Sequence, residues 1–174
     1  SFFQINRAQT EVLYGVALDF AGLTGAETVL DLYCGIGTIS LALARRAGRV
    51  IGAEIVPQAV DDARKNARRN GIANAEFFCG DAGAVARKLD AEGVRPQVIC
   101  VDPPRKGLAS EVPAILAGMA PERIVYVSCD PATLARDTDR FIQLGYQAIR
   151  VQGDALFPRT THVETVLLLQ RENS

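Results

Sequence analysis

Short apolar runs that predict buried strands alternate along the chain with longer segments in which apolar residues recur at helical spacing. The predicted strands span residues 28–32, 49–54, 75–79, 97–101, 124–128, 146–151 and 163–169. The predicted helices span residues 6–21, 37–47, 57–70, 82–89, 111–119 and 132–144. Alternation of this kind indicates an α/β fold with a mostly parallel sheet and helices on both of its faces.

The last two predicted strands depart from this alternation, because only residues 152–162 separate them. Such a loop is too short for a helical crossover, so we expect an antiparallel C-terminal strand pair. Neither a repeat nor a linker interrupts the pattern, and 174 residues suit one domain, 1–174. Ligands of such sheets bind beyond the carboxyl ends of the strands, where the candidate residues below all fall.

The charge balance gives no sign of an autonomous nucleic-acid-binding domain, since the net charge is −1 and such domains usually carry a basic surplus. Any RNA binding is therefore expected to be local or to come from another segment. The chain begins abruptly at Ser1, and we expect it to be a fragment of a longer protein. Because no apolar run is long enough to span a membrane and no secretory leader is visible, the expected location is the cytoplasm.

The four cysteines are Cys34, Cys79, Cys100 and Cys129. None forms a C-x-x-C pair, so neither a zinc nor an iron–sulfur site is predicted in this segment. Three of them, Cys34, Cys79 and Cys100, fall in or beside predicted strands and are expected to be small buried apolar residues. Disulfide bonds are not expected in a chain of this type.

A glycine-containing turn follows the first predicted strand, with the sequence Asp31-Leu-Tyr-Cys-Gly35-Ile-Gly37-Thr38. Glycines there let the backbone turn tightly and approach a ligand before the next helix begins. Ser40 replaces the third glycine of the dinucleotide-binding fingerprint, which disfavours a nicotinamide dinucleotide. An acid before the turn favours a cofactor with a positive centre, such as an aminoacyl sulfonium.

Two further acids close the next strands. Glu54 ends the second strand, 54 − 31 = 23 residues after Asp31, where an acid accepts hydrogen bonds from ribose hydroxyls. Asp81 follows the third strand and is placed to bond an adenine edge. The alternative, that Gly35 and Gly37 only make a compact turn, stays open at this point.

Candidate chemical groups follow the fourth and fifth strands. Asp102 precedes Pro103 and Pro104, which stiffen the loop and hold the acid toward the cleft. Arg105 stands where amino-group methyltransferases usually have an aromatic residue, which argues against a nitrogen acceptor. Cys129 ends the fifth strand just before a helix, whose N-terminus is expected to lower the pKa of the thiol. The alternative is a small residue that fits a crowded turn.

The last predicted strand carries one charged residue, Glu164, among apolar neighbours. Buried carboxylates are rare unless they are paired or functional, although strand alternation could also place this one on a solvent face. His162 is the only histidine of the chain, and a structural role is the simpler interpretation for it.

These segments, taken in order, resemble the RNA (uracil-5-)-methyltransferase family over essentially the whole chain. The resemblance lies in Ser1-Phe-Phe-Gln-Ile-Asn6, the glycine turn, Asp102-Pro-Pro-Arg105, Val127-Ser-Cys-Asp-Pro-Ala-Thr-Leu-Ala-Arg-Asp137 and residues 157–165. The cysteine segment and His162-Val-Glu164 are the specific parts, whereas the glycine turn is generic. Residues 10–14 and 157–164 look closer to the 23S ribosomal RNA enzymes than to the transfer RNA enzyme.

The resemblance implies a Rossmann-like, class I S-adenosylmethionine-dependent methyltransferase that acts on RNA without a metal in this segment. It implies that Cys129 is the nucleophile, that Glu164 is the base that removes the proton from carbon 5, and that Asp102 lies near the reacting base and the cofactor. It implies cofactor contacts at Gln4, Tyr33, Glu54 and Asp81. Asp31, Gly35 and Thr38 of the glycine turn and Asp102 are also expected to bind the cofactor. Phe2 falls where an aromatic side chain touches the target base.

Two departures from the family pattern affect these expectations. Asp130 stands where the family usually has Asn, which leaves open how the pKa of the nucleophile is set. Relatives also carry an N-terminal RNA-binding barrel and often a central segment, and both are expected to lie outside this piece. A cytosine-5 methyltransferase, a non-catalytic cofactor-binding or RNA-binding module and, more distantly, a nicotinamide oxidoreductase remain as alternatives.

Overall fold

The computed structural model describes residues 7–154 and 164–172 of the chain. Its strands are β1 (Thr28–Leu32), β2 (Arg49–Glu54), β3 (Ala75–Cys79), β4 (Val98–Val101), β5 (Arg123–Ser128), β6 (Tyr146–Asp154) and β7 (Glu164–Arg171). Its helices are α1 (Arg7–Ala21), α2 (Thr38–Ala44), α3 (Pro57–Arg69), α4 (Ala82–Ala91), α5 (Val112–Gly118) and α6 (Pro131–Gln143). The predicted α/β alternation is therefore confirmed, and the largest differences in bounds are three residues, at the ends of α2 and β6.

The seven strands form one sheet in the order β3-β2-β1-β4-β5-β7-β6. Strands β1 to β5 are parallel, whereas β7 runs antiparallel to both β5 and β6. The antiparallel C-terminal pair is thus confirmed. Strand β6 continues past the predicted end because Gly153 and Asp154 still pair with Thr165 and Glu164 of β7.

Apolar side chains of the central strands are buried on both faces of the sheet, as parallel sheets require. One face packs against α1 and α2, with Phe20, Val29 and Leu43 in its core. The opposite face packs against α4, α5 and α6, with Leu30 and Phe141 in its core. Strands β1 and β4 therefore lie inside the sheet and are covered by helices on both faces.

The prediction that three cysteines are buried is correct for Cys100 alone, which lies in central strand β4. Cys34 is half-buried, and Cys79 is exposed at the end of β3. Strand β3 is an edge of the sheet in which Phe77 is the one buried residue of five, and its last residue reaches solvent. All four cysteines are free thiols. Within the described residues, no helix combines the length and the apolar character needed to cross a bilayer.

Candidate active site

A cavity of about 460 Å³ opens at the carboxyl ends of strands β1 to β4. Its lining includes Tyr33, Glu54, Asp81 and Asp102, each of which directly follows or ends one of these strands. The loop 102–109 provides one wall of the cavity, to which all of its residues except 105 and 108 contribute. The structure therefore brings together four of the predicted site residues in a volume typical of small-molecule sites.

The turn between β1 and α2 depends on backbone conformations that favour glycine. Gly35 and Gly37 have φ angles of +57° and +87°, in the left-handed region. At Gly37 a Cβ atom would lie 3.1 Å from Ala63 and 3.2 Å from Phe77, so the position also needs close packing. Tyr33 adopts the same region with a φ of +62°, which is uncommon for a bulky residue and is found at functional sites.

Glu54 fixes this turn against the end of β2. Its Oε1 accepts a hydrogen bond from the Gly35 amide at 3.1 Å, and its Oε2 accepts one from the Val56 amide at 2.9 Å. A carboxylate has about four acceptor positions, so hydroxyl groups of a ligand can still bond to it. The side chain thus shapes the turn and faces the cavity at the same time.

Asp81 lines the cavity and also makes a hydrogen bond that caps a helix. It is the N-cap of α4, where its Oδ2 accepts a hydrogen bond from the Ala84 amide at 3.0 Å. The carboxylate is therefore held at the cavity wall with acceptor capacity to spare.

Asp31, Gly35 and Thr38 were predicted as cofactor contacts but are not among the residues that line this cavity. Asp31 is buried behind the turn, where its Oδ2 accepts a hydrogen bond from the Ser40 hydroxyl at 2.5 Å. Burial raises the pKa of Asp31 to about 7, although the bond from Ser40 acts in the opposite direction. Ser40, which replaces the third glycine of the dinucleotide fingerprint, is thus the buried partner of this acid.

The three candidate catalytic residues lie near one another because their strands are neighbours in the sheet. Asp102 follows β4, Cys129 follows β5, and Glu164 begins β7, and these strands lie side by side. Ser128 pairs with Thr165, so the next position of this antiparallel pair places Cys129 opposite Glu164. Opposed residues in an antiparallel pair share one face, with Cβ atoms about 4.5–5.5 Å apart. Cys129 is therefore flanked by carboxylates from both neighbouring strands.

The electrostatics of this group contradict one sequence prediction, because the pKa of Cys129 is raised rather than lowered. Burial is the largest cause, followed by the negative charges of Glu164 and Asp102, while a backbone hydrogen bond and Arg105 act in the opposite direction. The N-terminus of α6 is already capped by Asp130, whose Oδ1 accepts from the amides of residues 132 and 133 at 2.9 and 3.1 Å. The helix end therefore serves Asp130, not the thiol.

The two carboxyl groups beside Cys129 are also shifted toward the protonated form. Burial raises the pKa of Glu164, which is half-buried at the start of β7. Asp102 is open to the cavity, but the protein surrounds it on its other sides, and this desolvation, together with Glu164 and Asp31, raises its pKa to about 7. Asp102 can therefore take up and release a proton near neutral pH, and the shift at Glu164 has the same direction.

Sequence interpretation missed the side chains that hold the loop carrying Asp102. Asp137 of α6 is fully buried and bonds to this loop, and Arg136 and Thr133 bond to its carbonyl groups. An Arg-Asp pair inside an amphipathic helix was the available signal, since a charge on the buried face needs partners. Phe2, Gln4 and His162 lie outside the described residues.

The fold and the cavity define a Rossmann-like, class I methyltransferase. The precorrin-6y C5,15-methyltransferase of Geobacter metallireducens has the same fold, with a TM-score of 0.77 at 14% identity over 97% of this chain and 92% of its own. The tRNA (uracil-54, C5)-methyltransferase of Pyrococcus abyssi, solved in complex with S-adenosyl-L-homocysteine, is similar with a TM-score of 0.80. It is 34% identical and matches 97% of this chain and 40% of its own.

The sequence profile of the tRNA (uracil-5-)-methyltransferase family matches residues 1–172, and the chain belongs to this family. A protein of Halalkalibacterium halodurans described as an uncharacterized RNA methyltransferase is 54% identical over 173 residues, or 99% of this chain. A protein of Clostridium acetobutylicum with the same description is 51% identical over 171 residues. The chain spans 38% and 37% of the lengths of these two relatives.

Proposed function

We propose that this chain is a catalytic domain that transfers a methyl group from S-adenosylmethionine to carbon 5 of a uracil in RNA. The observation that supports the proposal is that Cys129 follows β5, between the strands that carry Asp102 and Glu164, and that the charges of both acids act on its thiol. A thiol between two carboxyl groups provides a nucleophile and proton acceptors around one planar ring.

The cavity suits the adenosyl part of the cofactor. Glu54 and Asp81 offer carboxylate oxygens at the ends of the neighbouring strands β2 and β3, and these accept hydrogen bonds from ribose hydroxyls and from an adenine amino group. When bound, S-adenosylmethionine supplies a methyl group on a positively charged sulfur. Asp102 lies between this cavity and Cys129, so the proposal places the methyl group near this acid.

Cys129 acts first on the ring. Uracil carbon 5 is a weak nucleophile, and addition of the Cys129 sulfur to carbon 6 converts the ring to an enolate whose carbon 5 can accept the methyl group. Glu164 then takes the proton from carbon 5, the double bond re-forms, and the sulfur leaves carbon 6. The product is 5-methyluracil, and the released sulfur regains its proton from the carboxyl group that accepted it, which restores the thiol.

The raised pKa values determine where the protons reside in this sequence. Because Cys129 is held as a thiol by burial and by its carboxylate neighbours, it has to transfer its proton to one of these groups as it attacks. Asp102 and Glu164 are both poised to accept one, since their pKa values are raised. A raised pKa also makes Glu164 a better match for removing a proton from carbon.

The RNA is expected to reach this site with the target base out of its stack, since the reacting carbons are inaccessible in a helix. Arg105 and Lys106 are exposed on the loop beside the cavity, where they are suited to contact phosphate groups. From the likeness of residues 10–14 and 157–164, we propose 23S ribosomal RNA as the substrate. Transfer RNA, the substrate named for the Pyrococcus abyssi protein, is the competing candidate.

The test uses the full-length protein with methyl-labelled S-adenosylmethionine and, in separate reactions, unmodified 23S and transfer RNA. Labelled 5-methyluridine after digestion to nucleosides is the expected product, and the reactive RNA identifies the substrate. Cys129→Ala is expected to abolish this product while cofactor binding, measured by calorimetry, is retained. Labelled 5-methylcytidine would instead indicate a cytosine-5 methyltransferase, and cofactor binding without any product from either RNA would favour a non-catalytic module.

A second variant addresses the base. Glu164→Gln keeps the shape of the side chain but cannot accept the proton from carbon 5, so the methylated adduct is expected to accumulate. Denaturing gels would then show a protein band that is shifted by covalently bound RNA. The absence of such a band, with cofactor binding intact, would exclude Glu164 as the base.

A further inference from the structure

The loop that begins at Asp102 is held by the helix that follows the nucleophile. The hydroxyl of Thr133 donates to the carbonyl of Arg105 at 3.1 Å. The guanidinium of Arg136 donates to the carbonyls of Lys106 and Leu108 at 2.8 and 3.3 Å. Three backbone acceptors of one short loop are thus bound by side chains from the first two turns of α6.

A backbone amide of the same loop is bound as well, by a buried carboxylate. The Oδ2 atom of Asp137 accepts the Leu108 amide at 2.9 Å and the Tyr126 hydroxyl at 2.6 Å. Its Oδ1 atom accepts from Arg136 at 3.2 Å and from Arg140 at 3.3 Å. Asp137 therefore connects the loop, strand β5 and helix α6 at one point from which solvent is excluded.

The loop needs this external support because its own sequence offers little. Pro103 and Pro104 have no amide donors, and the backbone bond described inside the loop runs from the Gly107 amide to the Pro104 carbonyl. Gly107 has a φ of +76°, and a Cβ atom there would lie 2.5 Å from Arg136 and 2.7 Å from Asp137. The loop thus packs directly onto these two side chains.

The contacts of Arg136 and Asp137 connect the helix that follows the nucleophile with the loop that lines the cavity. Helix α6 begins two residues after Cys129, and the loop carries Asp102 and forms one wall of the cavity. We propose that Arg136 and Asp137 are positioning residues that set the separation between the nucleophile and the loop, and so align the ring with the methyl group. This inference rests on the proposed function.

Arg136 and Arg140 make a matched pair for the test. Both donate to the same Oδ1 of Asp137, at 3.2 and 3.3 Å, but among the described contacts only Arg136 also binds the loop carbonyls. Arg136→Met and Arg140→Met in the full-length protein therefore remove equivalent ion pairs, and the first also removes the loop contact. Thermal unfolding checks that both variants fold and that their losses of stability are similar.

The main readout is the single-turnover rate of covalent adduct formation. The probe is a mixture of 23S and transfer RNA transcripts with 5-fluorouridine in place of uridine, since fluorine on carbon 5 cannot be removed as a proton and the adduct persists. Arg136→Met is expected to slow this rate by about 100-fold, as misplacement by about 1 Å does, and Arg140→Met by less than about threefold. Arg136→Lys, which restores one donor, is expected to recover part of the rate.

Hydrogen exchange of the segment 104–110 provides a readout that does not depend on the chemistry. Faster exchange in Arg136→Met than in Arg140→Met is expected, because only the first variant removes the donor that holds the Lys106 and Leu108 carbonyls and, with them, the backbone of this segment. Equal adduct rates in the two variants, or a normal rate in Arg136→Met, would overturn the inference. If the wild-type protein forms no adduct, the proposed function fails, and unchanged exchange in Arg136→Met would then overturn the positioning role separately.

Discussion

The pKa of the Cys129 thiol depends on the negative charge of Glu164, so a change in that charge can be measured at the thiol. The pKa of this thiol is raised mainly by burial and next by the charge of Glu164. Glu164→Gln removes that charge, while the volume of the side chain stays nearly the same. The strand register predicts side chains that lie on one face with charges about 6 Å apart. In surroundings between a protein surface and bulk water, a charge at that distance destabilises a thiolate by about 1 kcal/mol.

About 1 kcal/mol corresponds to a roughly fivefold larger thiolate population in Glu164→Gln at neutral pH. A thiolate of lower pKa is also less nucleophilic, so the net alkylation rate is expected to rise about two- to threefold. The assay is the pH dependence of iodoacetamide alkylation, followed by mass spectrometry of the peptide that contains Cys129. This peptide-level readout excludes Cys79, which is exposed and reacts independently.

The matched control is Glu122→Gln, which removes the same charge at the opposite end of β5. It is expected to leave the alkylation profile of Cys129 unchanged. A profile of Glu164→Gln that coincides with the wild-type profile would refute the placement of Glu164 beside the thiol. An equal rise in both variants would show that the effect comes from net charge instead of proximity.

Three further changes test other parts of the structure. Glu27→Gln is expected to lower the free energy of unfolding by about 1–2 kcal/mol at pH 7. Burial raises the pKa of Glu27, but hydrogen bonds from Thr24 and Gly25 outweigh it and lower the pKa to about 2. That stabilisation is present above pH 4.5 and is lost toward pH 2, so denaturant titrations of the two proteins should converge there. Gly52→Ala is expected to cost about 1–3 kcal/mol, because its Cβ would lie 2.6 Å from Phe77 and 3.0 Å from Cys34, whereas Gly118→Ala, with nothing within 4 Å, is expected to be neutral or mildly stabilising in the same titration. Glu54→Gln is expected to weaken S-adenosylmethionine binding by about tenfold in calorimetry, since an amide cannot accept from both the Gly35 and Val56 amides and from the ribose; unchanged affinity would remove Glu54 from the cofactor site.

Patterns that depend on neighbours in sequence were predictable. The bounds of β1, β2 and β3 agree with the prediction, because each is a short apolar run between turn residues. The antiparallel pairing of β7 followed from the length of the preceding loop alone. Tyr33, Glu54, Asp81 and Asp102 line one cavity because parallel strands bring their carboxyl ends to the same edge of the sheet.

Features that depend on contacts between distant segments were not predictable. The buried bond between Asp31 and Ser40 requires α2 to pack on β1, and the pattern of the turn alone does not reveal it. The bonds of Asp137 to Leu108 and Tyr126 join residues that are 29 and 11 positions away in sequence. A single sequence gives the residue types of such a network but not the geometry that lets each donor reach the carboxylate.

The wrong sign predicted for the pKa of Cys129 has the same origin and bears directly on mechanism. The sequence shows a cysteine before a helix, but only the sheet order reveals that β4 and β7 place Asp102 and Glu164 on either side of it. Burial and the negative charges of Glu164 and Asp102 disfavour the thiolate, so the resting site holds its proton on sulfur. In the proposed reaction, the sulfur loses negative charge as its bond to carbon 6 forms, and that charge moves onto the ring, away from the thiol. The carboxylates therefore destabilise the free thiolate more than the transition state that follows it, which favours attack coupled to proton transfer over a preformed thiolate.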